Sequence, residues 1–206
     1  MNLPNSLTVT RIFLVPLLVV VLLTKFEGRD ILGVPKELVG AAIFALASLT
    51  DWADGYLARR RKQVTPLGQI IDPLADKLLT SAALISLVQM ELAPAWMVAV
   101  IIGREFAVTA LRSLGYARGV AMPASSLGKI KMVAQVVAIL ALILAHGRAE
   151  GGMFGVYLIG QVGLWVVVVA ALASAADYFR RYNLVLNPRV ADLTVARAHR
   201  PDRKVG

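Results

Sequence analysis

Four aspartates carry the first chemical signal in the sequence. Asp51, Asp54, Gly55 and Ala58 fall at i, i+3, i+4 and i+7, one face of a helix. Gly68, Asp72 and Asp76 fall at i, i+4 and i+8, again one face. Two antiparallel helices joined by a short connection would aim these four carboxylates at one another. Ionised groups at the edge of a low-dielectric layer are costly and usually functional. Lys77 and Arg59 would offset part of the repulsion as ion pairs. One or two hard divalent cations would offset more, because such ions take oxygen ligands. Magnesium or manganese fits this donor set; zinc and copper fit poorly without His or Cys. The chain has no cysteine, and its histidines are His146 and His199. Disulfides, thiolate zinc sites and thiol nucleophiles are therefore excluded. Gly55, Ala58 and Gly68 leave space for a ligand to lie against the backbone. Two other readings stay open at this point: helix-end carboxylates in ordinary ion pairs, and a cation transporter. Transporter sites usually lie near the bilayer midplane. These acids adjoin basic loops, which favours an enzyme site at the membrane interface.

A second set of residues is cationic. Arg104 lies inside an apolar run, where an isolated Arg is expensive unless it faces a polar cavity or an acid. Arg112 is eight residues on, nearly the same helical face. Lys129 and Lys131 open the next apolar run. Guanidinium groups grip phosphate in a bidentate fork, and Lys adds a point charge. The plainer readings are an ion pair for Arg104 and loop charges that set orientation for the two lysines. Glu105 is placed to orient one of these cations.

The elements that position these residues follow from hydropathy. The 206 residues suffice for one domain, 58% of them hydrophobic, with mean hydropathy +0.69. From Gly151 to Ala176 there are 26 residues without a charge, and 18 or more apolar residues read as a membrane span. The expectation is an all-α polytopic membrane protein with six transmembrane helices near 7–24, 37–60, 72–90, 94–114, 129–145 and 153–179. Pro16 is a tolerated kink in the first. The 59–71 and 112–131 connections and the tail from Arg180 are basic. The 25–37 connection is balanced, the turn at Glu91 has no Lys or Arg, and 146–152 has only Arg148 and Glu150. The positive-inside rule then puts both termini and the aspartates at the cytoplasmic face. The net charge of +9 fits basic loops on anionic headgroups better than nucleic acid, since no basic-aromatic surface is evident. The start lacks a basic n-region and a small-residue cleavage site, so no cleaved leader is expected. The organisation expected is a membrane domain over 1–182 and a basic tail over 183–206. The Trp residues at 52, 96 and 165 are expected to pack in the bundle or at an interface.

The segment Asp51-Trp-Ala-Asp54-Gly55-Tyr-Leu-Ala58-Arg59, eight residues, Gly68, three residues, Asp72, three residues, Asp76 resembles the signature of CDP-alcohol phosphatidyltransferases at all eight fixed positions. The opening Asn2 to Arg11, Gly103-Arg104-Glu105-Phe106 with Arg112, and Gly128-Lys129-Ile130-Lys131 resemble the phosphatidylglycerophosphate synthases of bacteria within that family. Together the resemblance covers roughly residues 2–182. Met132 departs from it, standing where these proteins often carry Thr. The resemblance implies the family's six-helix membrane fold, a homodimer, and location in the bacterial inner membrane among anionic lipids. It implies transfer of a phosphatidyl group from CDP-diacylglycerol to sn-glycerol 3-phosphate with release of CMP. Asp51, Asp54, Asp72 and Asp76 would hold magnesium or manganese, two ions in the family's usual arrangement. Asp76 is also the candidate base, as ligand, base or both. Gly55, Ala58, Arg59 and Gly68 would line the nucleotide pocket. Asn5 and Thr8 would touch the nucleotide or cap the first helix. Arg104, Arg112, Lys129 and Lys131 would bind the acceptor phosphate.

Overall fold

The structure is a computed structural model. It describes the backbone of residues 3–24, 30, 31, 33–61, 66–117, 126–146 and 154–186, and the side chains of 9–24, 31, 33–50, 74–114, 131–146 and 154–180. Its six helices are α1 (Leu3–Leu23), α2 (Lys36–Arg61), α3 (Pro66–Gln89), α4 (Ala95–Ala117), α5 (Ser126–Ala145) and α6 (Phe154–Leu186). All six correspond to the helices expected from hydropathy. Five of them, α1, α3, α4, α5 and α6, start or end three or more residues beyond the apolar runs, because a helix continues on backbone hydrogen bonds past the point where hydropathy reports it.

One small feature was not expected. Between α1 and α2, β1 (Asp30–Ile31) pairs antiparallel with β2 (Val34–Pro35), with Gly33 at φ 78 in the turn. Glycine takes that left-handed backbone at no steric cost. Lys36 then starts α2 and donates from Nζ to the Leu22 and Thr24 carbonyls, both at 3.4 Å. It thereby satisfies the orphan acceptors at the end of α1.

The α3–α4 turn is tight for a stated reason. Leu92 N donates to Leu87 O at 2.9 Å and Glu91 N to Val88 O at 3.0 Å. Glu91 sits at φ 61. This is a Schellman closure with a non-glycine at its left-handed position. From α6, Gln161 Nε2 donates to Leu92 O at 2.7 Å and holds the turn down.

One continuous core joins the bundle: Leu18 and Leu22 of α1, Phe44 of α2, Leu84 of α3, Ile101 of α4, Leu142 of α5 and Val167 of α6 among others. α5 and α6 approach each other closely. A Cβ on Gly163 would lie 2.8 Å from Ala138 Cβ and 3.3 Å from Ala138 Cα, so only glycine permits that spacing. On the rim, Trp96 and Trp165 pack edge to face with centroids 5.7 Å apart, an arrangement their ring quadrupoles favour.

The exterior is apolar while charges lie inside. Phe13, Val133, Phe154 and Val169 are each more than 60% exposed, whereas Arg11 and Lys131 are at most 3% exposed. Phe154–Arg180 is 27 residues long, and only 28% of its most apolar window is buried. At 1.5 Å per residue that segment is about 40 Å long, longer than a hydrocarbon core. A core helix of a soluble protein would be mostly covered. This one presents its apolar face outward, as a membrane protein does.

Candidate active site

The aspartates sit where antiparallel helices bring them to one end of the bundle. Asp51 and Asp54 lie in the C-terminal half of α2, with Gly55, Ala58 and Arg59 following. Gly68 and Asp72 lie in the first turns of α3, with Asp76 one turn further. The side chains of Asp51, Asp54, Gly55, Ala58, Arg59, Gly68 and Asp72 lie outside the described residues, as do those of Asn5 and Thr8 on α1 and Lys129 on α5. The side chain of Asp76 is described and is half-buried. Among the described residues no group of three metal-ligating side chains is assembled. The donor chemistry itself suits a hard cation: α2 and α3 offer carboxylates and neither helix carries His or Cys.

The cationic half of the site is described in full except for Lys129. Glu105 of α4 is its hub. Lys131 Nζ of α5 forms an ion pair with Glu105 Oε1, and Arg104 Nη1 lies 3.4 Å from the same oxygen. Lys131 is 3% exposed, so it is no loop charge. Its ammonium is inside the bundle, where only a carboxylate partner makes it tolerable. Arg104 is held from a second side, Nη2 donating to Ser174 Oγ of α6. Arg104 thus combines the two readings left open for it, an ion pair and a cation facing a polar interior.

Arg112 lies on the same α4 face, seven residues after Glu105. Between them Thr109 Oγ1 donates to the Glu105 carbonyl at 2.8 Å and accepts from Lys77 Nζ of α3. Lys77 is within electrostatic range of Asp76, Arg112 and Arg104. Lys131 is within range of Arg104, Asp76 and Lys77. The fold therefore gathers Lys77, Arg104, Arg112 and Lys131 around Asp76 and Glu105.

Two donors in this cluster are orphaned. Arg104 Nε and Arg112 Nε are buried and have no hydrogen-bond partner. A buried unpaired N–H on a charged group costs about 1–3 kcal/mol or more. Such donors on two guanidinium groups fit an anion with several acceptor oxygens.

Of the cations expected to bind the acceptor phosphate, Arg104 and Lys131 share Glu105, and Arg112 joins them through Lys77. Thr109, Ser174 and Tyr178 are additions to the expected set, and Lys77, expected to pair with the aspartates, serves both halves. A signal existed for each. Glu105, Thr109 and Arg112 repeat at i, i+4 and i+7. Ser174 and Tyr178, both at most 5% exposed, are i and i+4 on α6, and Tyr178 lies within range of Arg104.

Comparison with known proteins identifies the family. Residues 1–176 match the family model of CDP-alcohol phosphatidyltransferases. The chain is 48% identical over 185 residues to a CDP-diacylglycerol–glycerol-3-phosphate 3-phosphatidyltransferase of Bacillus subtilis, covering 87% of this chain and 94% of that one. It is 34% identical over 179 residues to a protein of the same name in Rickettsia felis, covering 87% and 94%. It is 40% identical over 186 residues to a probable phosphatidylglycerophosphate synthase of Mycobacterium tuberculosis, covering 87% and 81%. With the aspartate spacing in place and the match spanning all but the tail, the chain belongs to the CDP-alcohol phosphatidyltransferase family.

Proposed function

We propose that this chain transfers the phosphatidyl group of CDP-diacylglycerol to sn-glycerol 3-phosphate, giving phosphatidylglycerophosphate and CMP, for anionic phospholipid synthesis. The observation that carries the acceptor is the largely inward-facing cation cluster with its two orphaned guanidinium N–H groups. Lys77, Arg104, Arg112 and Lys131 outnumber Asp76 and Glu105, and a phosphate dianion makes up the difference. Free serine would leave the surplus unpaired. The names of the relatives point to glycerol 3-phosphate in particular.

Asp51, Asp54, Asp72 and Asp76 would hold magnesium or manganese, whose charge neutralises the diphosphate and stabilises CMP as it leaves. The rest of the chemistry belongs to the chain. Arg104, Arg112, Lys129 and Lys131 bind the acceptor phosphate and orient its free hydroxyl toward the lipid's phosphorus. Asp76 takes the hydroxyl proton as the new P–O bond forms and the bond to CMP breaks. Such a base typically supplies about 10²–10⁴ in rate. Asp76 suits the role because it stands between the two halves of the site, within electrostatic range of Lys131 and Lys77. Gly55, Ala58, Arg59 and Gly68 line the nucleotide pocket, with Asn5 and Thr8 near it. Six helices span the bacterial inner membrane, the termini and the site face the cytoplasm, and two copies associate as a homodimer.

The test is CMP release from CDP-diacylglycerol by detergent-solubilised protein. Glycerol 3-phosphate, inositol phosphate, serine and phosphatidylglycerol are offered in turn, with and without divalent cation. Release should require the cation and glycerol 3-phosphate. Equal release with inositol phosphate would overturn the acceptor assignment, and no release with any alcohol would overturn the enzyme reading.

A further inference from the structure

Arg11 is the largest fully buried side chain among the described residues, 1% exposed. It is the one ionisable residue in the apolar stretch Val9–Leu23. A guanidinium does not give up its proton in a protein, so α1 carries a permanent charge into the bundle. A charge there persists only when hydrogen-bonded or paired. Arg11 Nε donates to the carbonyl oxygen of Ala47 on α2 at 3.2 Å. Thr50 Oγ1 donates to that same oxygen at 2.8 Å. Ala47 lies one helical turn before Asp51, and in a helix its carbonyl is also the acceptor for the Asp51 N–H. Two side chains on two helices thus converge on the peptide group from which the aspartate-bearing turn continues.

A second tie between these helices is different in kind. Lys36, at the far end of α2, reaches the Leu22 and Thr24 carbonyls of α1. It joins α1 to α2 with no functional residue one turn away.

We propose that Arg11 is a positioning residue for the divalent-cation site: from α1 it fixes the turn of α2 that carries Asp51. This rests on Asp51 being a metal ligand, as in the proposed function. Groups that hold a metal ligand in place typically contribute 10–100-fold to metal affinity.

The experiment measures manganese binding to the purified full chain in detergent, without substrates, by loss of the free-ion paramagnetic resonance signal. Arg11→Met should weaken manganese binding by about tenfold or more, and Arg11→Lys, which keeps the charge but not the fork, should be intermediate. Lys36→Met should lower thermal stability yet bind manganese like the wild type. In turnover, Arg11→Met should raise the manganese concentration giving half-maximal rate and leave the KM for glycerol 3-phosphate little changed. Wild-type manganese affinity in Arg11→Met, or an equal loss in Lys36→Met, would overturn the proposal and reduce Arg11 to a helix tie. Should Arg11→Met not fold, Arg11→Lys carries the test; a several-fold loss of manganese affinity supports the proposal and wild-type affinity overturns it. A wild-type chain that takes up no manganese would instead overturn the metal reading, and this inference with it.

Discussion

Glu105 is the residue on which the cations of the site converge, and its removal should show most directly what the cluster does. Glu105→Gln leaves Lys131 and Arg104 buried without their carboxylate. Breaking a fully buried pair costs about 3–5 kcal/mol; the Glu105 side chain is 26% exposed, so a smaller loss is expected, read as a lower melting temperature in detergent. Bound glycerol 3-phosphate, itself an anion, should restore more stability to this variant than to the wild type. Arg112 tests binding. Arg112→Ala removes a guanidinium with an orphaned N–H and should raise the KM for glycerol 3-phosphate while leaving that for CDP-diacylglycerol nearly unchanged. Unchanged acceptor kinetics would take Arg112 out of the pocket. Asp76 tests chemistry. Asp76→Asn keeps the shape but cannot accept the proton, so kcat should fall about 10²–10⁴-fold. Retention of CMP binding by that variant would separate loss of a base from loss of the nucleotide site.

At the scale of elements, hydropathy made the six helices legible because each needs a long apolar run, and helical periodicity made the two aspartate pairs legible because they repeat at three and four residues. The cross-helix partners were less so. Ser174 of α6 meets Arg104 of α4 across 70 positions of sequence, and no local spacing encodes which helix packs on which. Arg11 figures in the sequence only as the end of the opening segment Asn2 to Arg11, and its partner Ala47 contributes a backbone carbonyl, which the sequence does not distinguish from any other. The same packing supplies two stability predictions. Glu91 occupies a left-handed position that costs a non-glycine residue about 1 kcal/mol or more. Glu91→Gly should therefore raise stability by about that amount with activity unchanged, measured by thermal unfolding. Gly163→Ala should do the opposite. Its new methyl would meet the Cα and Cβ of Ala138, neither of which can swing away, so α5 and α6 must part at a cost of about 1–3 kcal/mol. Because Lys131 lies on α5 and Ser174 on α6, the same variant should weaken glycerol 3-phosphate binding. Gly155→Ala, with nothing within 4 Å of its new Cβ, is the silent control.

Over the described residues, polarity is arranged as lipid requires: large apolar side chains point outward on α1 to α6, and most of the inward charges gather at one end. That end is where α2 finishes and α3 begins, so the basic 59–71 connection and the aspartates share one end of the bundle. The proposed six-span arrangement puts the α3–α4 turn at the opposite face: α3 is 24 residues long, about 36 Å at the helical rise, a length that matches the hydrocarbon layer. The chain contains no cysteine, which allows this to be tested with single introduced thiols and a membrane-impermeant maleimide. Lys62→Cys should react only in inside-out vesicles, where the cytoplasmic face is exposed. Gln89→Cys, exposed at the end of α3, should react only in intact spheroplasts. Reaction of both from one side would mean that α3 does not cross, and the six-span arrangement would fall with it. Opposite sidedness, combined with active protein in each variant, would fix the aspartates on the side where charged acceptor and CMP are found, since neither can enter a site that opens into hydrocarbon.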